Sequence, residues 1–304
     1  MDNIPLFFTP SSNNLKEPVF KADFSSLYHK YEVVIEIEKE NTKTKIEYRA
    51  GVKLERKSPS SKNPILSIQK LTKVLINGIE PDLITEKISA LVGSIFQPLQ
   101  IELGPKGEIL NISNYESILK KWEEVKENLQ MNYAGQTLDS YINNINQTLK
   151  SPELVLKKLK NDWFLSLYCV PLYTEYTNPP EKEKWKFPSL LKGEATKEYS
   201  VIKSSENLND SENSILIFVQ DLDTPDTFTS IYTLDNKTKL IKNIEAVITE
   251  KEGYSIRADI QCIEIHKKEK ENTPIPAKKK DFDEQAEWQK YQRKKKGFWG
   301  RLFD

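Results

Sequence analysis

The stretch Tyr31–Arg56 reads YEVVIEIEKENTKTKIEYRAGVKLER. Val33, Ile35 and Ile37 alternate with Glu36 and Glu38. Ile46, Tyr48, Ala50, Val52 and Leu54 alternate with charged residues and Gly51. A period of two on both arms predicts two half-buried strands paired as an antiparallel hairpin. Charged residues on the alternate positions leave one polar face, which suits antiparallel pairing.

Downstream, Ser58-Pro59-Ser60-Ser61 and Asn63-Pro64 mark a loop, and residues 65–76 (ILSIQKLTKVLI) read as a third strand. Pro81 opens a helix reaching about Ile95, with Leu83, Ile84, Ile88, Leu91 and Val92 on one face. Residues 98–113 are a second hairpin, turning at Gly104-Pro105-Lys106-Gly107. Ser113 with Glu116 fits a capping box, and the helix behind it runs to about Leu129. A further helix spans 137–149. Ser151-Pro152-Glu153 starts another, predicted to continue through Trp163 toward Tyr168. Residues 171–188 break the pattern. From Leu190, five segments ending at His266 read as successive strands, with hairpin turns at Asp235–Thr238 and Lys251–Gly253.

The predicted fold class is therefore α+β, a mostly antiparallel curved sheet or sheets with a central helical block packed on one face. The body covers 30–266, with a division into 30–176 and 185–266 left open, and residues 1–29 read as an irregular N-terminal segment. The order of elements is similar to that of the bent half-barrel of periplasmic lipoprotein carriers. That similarity rests on element order, not on a motif.

The chain has 304 residues, 38% hydrophobic, 30% charged and 10% aromatic, a composition that supports a packed core. Lys+Arg and Asp+Glu both number 45, so the whole chain lacks the basic excess of a non-specific nucleic-acid binder. From Lys267 onward there are 12 Lys/Arg against 7 Asp/Glu, a net of +5, and residues 1–266 carry 33 against 38, a net of −5. Two cysteines, Cys169 and Cys262, are too few for a disulfide framework. The start MDNIPLFFTPSSNN lacks a basic n-region, so no signal peptide is expected. The expected location is the cytoplasm. Abundant Lys, Asn, Ile and Glu with scarce Ala point to a bacterial, AT-rich genome.

Residues 267–280 (KKEKENTPIPAKKK) are charged, carry two prolines and read as a flexible linker. Residues 281–304 (DFDEQAEWQKYQRKKKGFWGRLFD) form the most distinctive segment. Asp281, Asp283 and Glu284 suit the N-terminal end of a short helix, and Trp288 and Tyr291 share a face at i,i+3. A basic run with Lys294, Lys295 and Lys296 precedes Phe298, Trp299, Arg301, Leu302 and Phe303. If helical, Phe298, Trp299, Leu302 and Phe303 form one apolar stripe. These ten residues are the expected partner-binding set of an amphipathic docking tail.

The expected function is a non-enzymatic binding or adaptor protein, a component of a multiprotein assembly, whose partner is another protein held through the tail. The alternative is a membrane-peripheral protein whose tail lies on anionic lipid. A second alternative is a metal-dependent enzyme around Asp221-Leu222-Asp223-Thr224-Pro225-Asp226. A plain Asp/Pro turn after a strand is the favoured reading of that loop, which lacks the Gly and the distal Glu of an EF-hand. With His29 and His266 the only histidines, and no metal-ligand, nucleophile-elbow or phosphate-loop string, no catalytic residue, metal ligand or cofactor is assigned. Trp163, Phe164, Tyr168, Tyr173 and Tyr176 form an aromatic-rich stretch that suits either a core or an apolar pocket.

Overall fold

The computed structural model describes residues 21–60, 62–176, 180–191, 195–207, 213–224, 227–251 and 253–265. The opening hairpin is strands β1 (Tyr28–Lys39) and β2 (Thr42–Lys57), paired from Tyr28↔Lys53 to Lys39↔Thr42. Strand β3 is Pro64–Lys70, and the short β4 (Leu75–Ile76) pairs with β2, so the third expected strand is divided. Strands β5 (Leu99–Leu103) and β6 (Ile109–Ile112) form the hairpin around Gly104–Gly107. The C-terminal strands are β7 (Glu183–Pro188), β8 (Thr196–Asn207), β9 (Ser214–Asp221), β10 (Phe228–Asp235), β11 (Ile241–Lys251) and β12 (Tyr254–Ile265).

All twelve belong to one antiparallel sheet, in the order β6-β5-β3-β2-β1-β12-β11-β10-β9-β8-β7, with β4 beside β2. The two β-rich regions of the sequence meet where β1 pairs with β12, as in Val33↔Ile260 and Ile35↔Ala258. Register carries the inner face across this seam: Tyr48, Val33, Ile260, Ile244, Tyr232 and Ile217 lie in one row. All six are buried, whereas the alternate row, Glu47, Val34, Asp259, Glu245, Ile231 and Phe218, mixes acidic with apolar residues. A one-residue slip in any pairing would send a buried row outward, and this is what fixes the register.

The helices are α1 (Ile84–Gly93), α2 (Tyr115–Asn132), α3 (Gln136–Thr148), α4 (Pro152–Leu159) and α5 (Trp163–Tyr168). Helix α1 stands before the β5–β6 hairpin and α2–α5 follow it, the order expected from the sequence. One apolar core takes in the inner sheet residues together with Ile118 and Trp122 of α2, Ile142 of α3, Val155 of α4 and Phe164 and Leu167 of α5.

Local chemistry explains the helix boundaries. The N-cap of α2 is Asn114 rather than Ser113, and its side chain makes no cap bond. That side chain is drawn off to the hairpin, accepting from Gln100 N at 2.9 Å and donating to the Pro98 carbonyl at 2.8 Å. Ser151 caps α4 as expected, by accepting from Leu154 N. The long helix predicted through Trp163 breaks at Lys160–Asp162, because Asp162 accepts from Leu165 N at 2.9 Å and caps a new helix, α5. Strand β7 lies in the stretch read as pattern-breaking. Lys184 and Lys186 alternate there with buried Trp185 and Phe187. As the end strand of the sheet, β7 carries lysines and closes on Pro188, features that guard an open edge.

Candidate functional site

The expected docking residues, Trp288 through Phe303, lie outside the described residues. The Asp221–Asp226 loop is described in part. Asp221 is buried and closes its own loop, accepting from Thr224 Oγ1 at 2.8 Å and Thr227 Oγ1 at 2.7 Å. Asp223 instead faces Lys182, at 3.0 Å. Asp226 lies outside the described residues. Among the described residues, no group of three or more His, Cys, Asp and Glu side chains is placed to hold a metal ion.

The aromatic stretch after α4 is divided between core and pocket. Phe164 stacks on Tyr168 (centroids 5.4 Å apart), and Tyr31 from β1 meets the edge of Tyr168 at 5.4 Å. The Tyr31 hydroxyl donates to the Ile241 carbonyl at 2.7 Å and lies 3.0 Å from His29 Nδ1 and 3.3 Å from the Tyr168 hydroxyl. His29 is 3% exposed. Burial pushes its imidazole below the ordinary value, opposed by the Ile241 carbonyl and the Asp235 charge. A neutral His29 ring fits this site, with Tyr31 tying β1 to α5 and β11.

A second buried polar group is Lys203 on β8. Its ammonium donates to the Pro171 carbonyl at 2.9 Å and Thr174 Oγ1 at 2.7 Å, and pairs with Glu183 at 2.6 Å. It also lies over the rings of Tyr176 and Trp185. Its three donors are thereby used, and it pins the α5–β7 connection to the sheet. Burial lowers its pKa, and Glu183 works in the opposite direction. This arrangement serves structure and leaves Lys203 no free donor for a ligand.

The most open site among these is a pocket of about 180 Å³ on the inner face. Its sheet side is Tyr48 and Ala50 of β2, Ile68 of β3 and Leu99 of β5, neighbours in register because Val52↔Ile68↔Leu99 runs across the three strands. Ala50 stands in a row of larger residues, and its small side chain leaves room there. The end of α1 supplies Gly93, followed by Phe96 and Gln97. The α4–α5 corner supplies Leu159, Asp162, Phe164 and Leu165. The Gln97 side chain is held in place by Lys70 N, which donates to its Oε1 at 2.6 Å.

The pocket wall is mostly apolar, with two charges. The Lys70 ammonium rests over the Tyr48 ring, 5.2 Å from its centroid. Asp162 is the cap of α5. Tyr48 is 9% exposed. Burial first, and the Asp162 charge second, hold its phenol well above the ordinary range, so it is a hydrogen-bond donor at any physiological pH. Sequence reasoning missed this site. Of its residues only Phe164 was named as a candidate for a pocket, and the others come from separated segments that the fold assembles.

No protein-family model matches the chain, and no curated protein does. Among solved structures, a lipovitellin ("lipid-protein interactions in lipovitellin") is similar over 81% of this chain, with 10% identity and a TM-score of 0.39. The match spans 26% of that protein, about a quarter of its length.

Proposed function

We propose that this is a non-enzymatic binding or adaptor protein, in which the sheet body is the scaffold and residues 281–304 dock onto a partner protein. The observation that carries the reading is the composition of the tail. Phe298, Trp299, Leu302 and Phe303 follow directly on Arg293–Lys296, and such a segment gains by burying its apolar residues against a partner.

The reading includes two finer points. The sheet bends around α2–α5, which cover its inner face; the contacts of Phe164 and Tyr168 with Tyr31 support this. The protein works in the bacterial cytoplasm, within a multiprotein assembly. Among the described residues no helix is long and apolar enough to cross a membrane.

Affinity purification with the full chain and with a chain ending at Lys280 tests the proposal. Partners retained by the full chain and lost by the shorter one support it, and equal recovery contradicts it. Flotation with phosphatidylglycerol vesicles separates the lipid alternative. Tail-dependent flotation without tail-dependent protein capture would replace the adaptor reading with the membrane one.

A further inference from the structure

We propose that the apolar patch formed by Ile79, Leu83 and Ile84, where the β4–α1 connection enters α1, is a self-association surface that pairs with the same patch of a second copy of this chain. The argument is independent of the tail.

Exposure marks the patch. Ile79 is 70% exposed, Leu83 66% and Ile84 62%, three aliphatic side chains in the short run from 79 to 84. Exposed aliphatic residues scattered singly need no explanation, but a contiguous group does. Ile84 also begins the apolar stripe of α1. Along that stripe Ile88 and Leu91 are half-buried, and Val92 and Ile95 are buried. The stripe therefore runs out of the core and into the patch. Met131, the exposed methionine in the last turn of α2, lies at the same end of the α1–α2 pair, where Tyr133 is close enough to act on the Lys87 ammonium.

Area sets the kind of partner. Three side chains at this exposure present on the order of 350 Å², the size at which an apolar patch marks an interaction site. Each partner of a standard interface buries roughly 800 Å². An apolar centre of this size, ringed by Lys73, Glu80, Asp82 and Lys87, has the anatomy of a small, reversible dimer interface.

Charge selects the second copy. A two-fold contact sets a patch against itself, so uncompensated charges would meet their own sign. Here each carboxylate between 80 and 86 is already engaged within the chain. Glu80 pairs with Lys73 at 2.6 Å and Asp82 with Lys87 at 2.7 Å. Glu86 accepts from Asp82 N at 2.9 Å and Leu83 N at 3.0 Å. The patch is locally neutral and can face its own copy. A segment built for an anionic lipid surface would instead carry an excess of Lys and Arg.

The test is sedimentation velocity on the full chain between 1 and 200 μM. The expected result is a monomer–dimer equilibrium with a midpoint on the order of 10 μM, and a chain ending at Lys280 should associate equally. Leu83→Glu and Ile84→Glu should each raise the midpoint at least tenfold. Both replace mostly exposed side chains, and Ile84→Glu adds an acid that the first turn of a helix favours, so their urea midpoints should match wild type. Leu154→Glu, on α4 and outside the patch, should leave the equilibrium unchanged. A chain that stays monomeric at 200 μM, association that survives both patch variants, or association lost with the tail would each overturn the assignment. So would a monomer that floats with phosphatidylcholine vesicles through Leu83 and Ile84, which would make lipid the occupant.

Discussion

Gly107→Ala should destabilise the protein far more than Gly78→Ala, although both glycines have positive φ. Gly78 (φ +79°) follows Asn77 in a two-residue turn, and a Cβ there meets nothing within 4 Å. Gly107 (φ +99°) ends the β5–β6 turn, which is packed against the α5–β7 connection through a hydrogen bond from Tyr173 N to the Lys106 carbonyl, 3.0 Å. A Cβ on Gly107 would lie 2.9 Å from Tyr173 Cδ2 and 3.0 Å from the Val170 carbonyl oxygen. Left-handed backbone costs a non-glycine residue about 1–2 kcal/mol, and restricting the unfolded chain returns about 0.4–1 kcal/mol. Gly78→Ala should therefore lose roughly 1 kcal/mol. Overpacking adds about 1–3 kcal/mol at Gly107, because the backbone oxygen of Val170 cannot rotate away as a side chain can. Urea unfolding of both variants, followed by far-ultraviolet circular dichroism, gives the difference directly. Losses within about 0.5 kcal/mol of each other would refute the docking of the hairpin turn on residues 170–173.

Three further outcomes follow from the buried polar groups. Tyr31→Phe removes the hydroxyl shared by Ile241, His29 and Tyr168 and should cost about 1–3 kcal/mol, read by the same unfolding assay; a neutral result would mean the network contributes nothing. His29, held neutral by burial, binds its proton less tightly folded than unfolded. Its contribution to stability is therefore full above the unfolded value near 6.5 and is lost as pH falls toward the lowered folded value; an NMR titration of the two histidines that places His29 at or above 6.5 would contradict this. Lys203→Met leaves Glu183 and two acceptors without their cation and should cost about 3 kcal/mol, measured by thermal and urea unfolding, whereas a stability equal to wild type would show the ion pair to be dispensable.

The sheet was legible in the sequence wherever apolar residues alternate for long enough. Tyr31–Arg56 and the segments from Ser214 to Ile265 show this, and their strands fall where period two places them. Strand β7 was not legible, because only Trp185 and Phe187 mark its buried face between lysines. The break between α4 and α5 depends on one capping side chain, Asp162, inside an otherwise continuous helical pattern. The pairing of β1 with β12 joins residues more than 200 positions apart and has no local signature. The pocket was hidden for the same reason. Tyr48, Ile68 and Leu99 read as ordinary strand residues and Asp162 as a helix residue, and only the sheet order and the α4–α5 corner bring them together.

The claim that residues 281–304 are the docking element is tested most directly by competition. A synthetic peptide of this sequence, added to full-length protein bound to its captured partner, should release the partner, while a peptide with alanine at Phe298, Trp299, Leu302 and Phe303 should not. Complexes that persist against excess wild-type peptide, or that the two peptides release equally, would contradict the account.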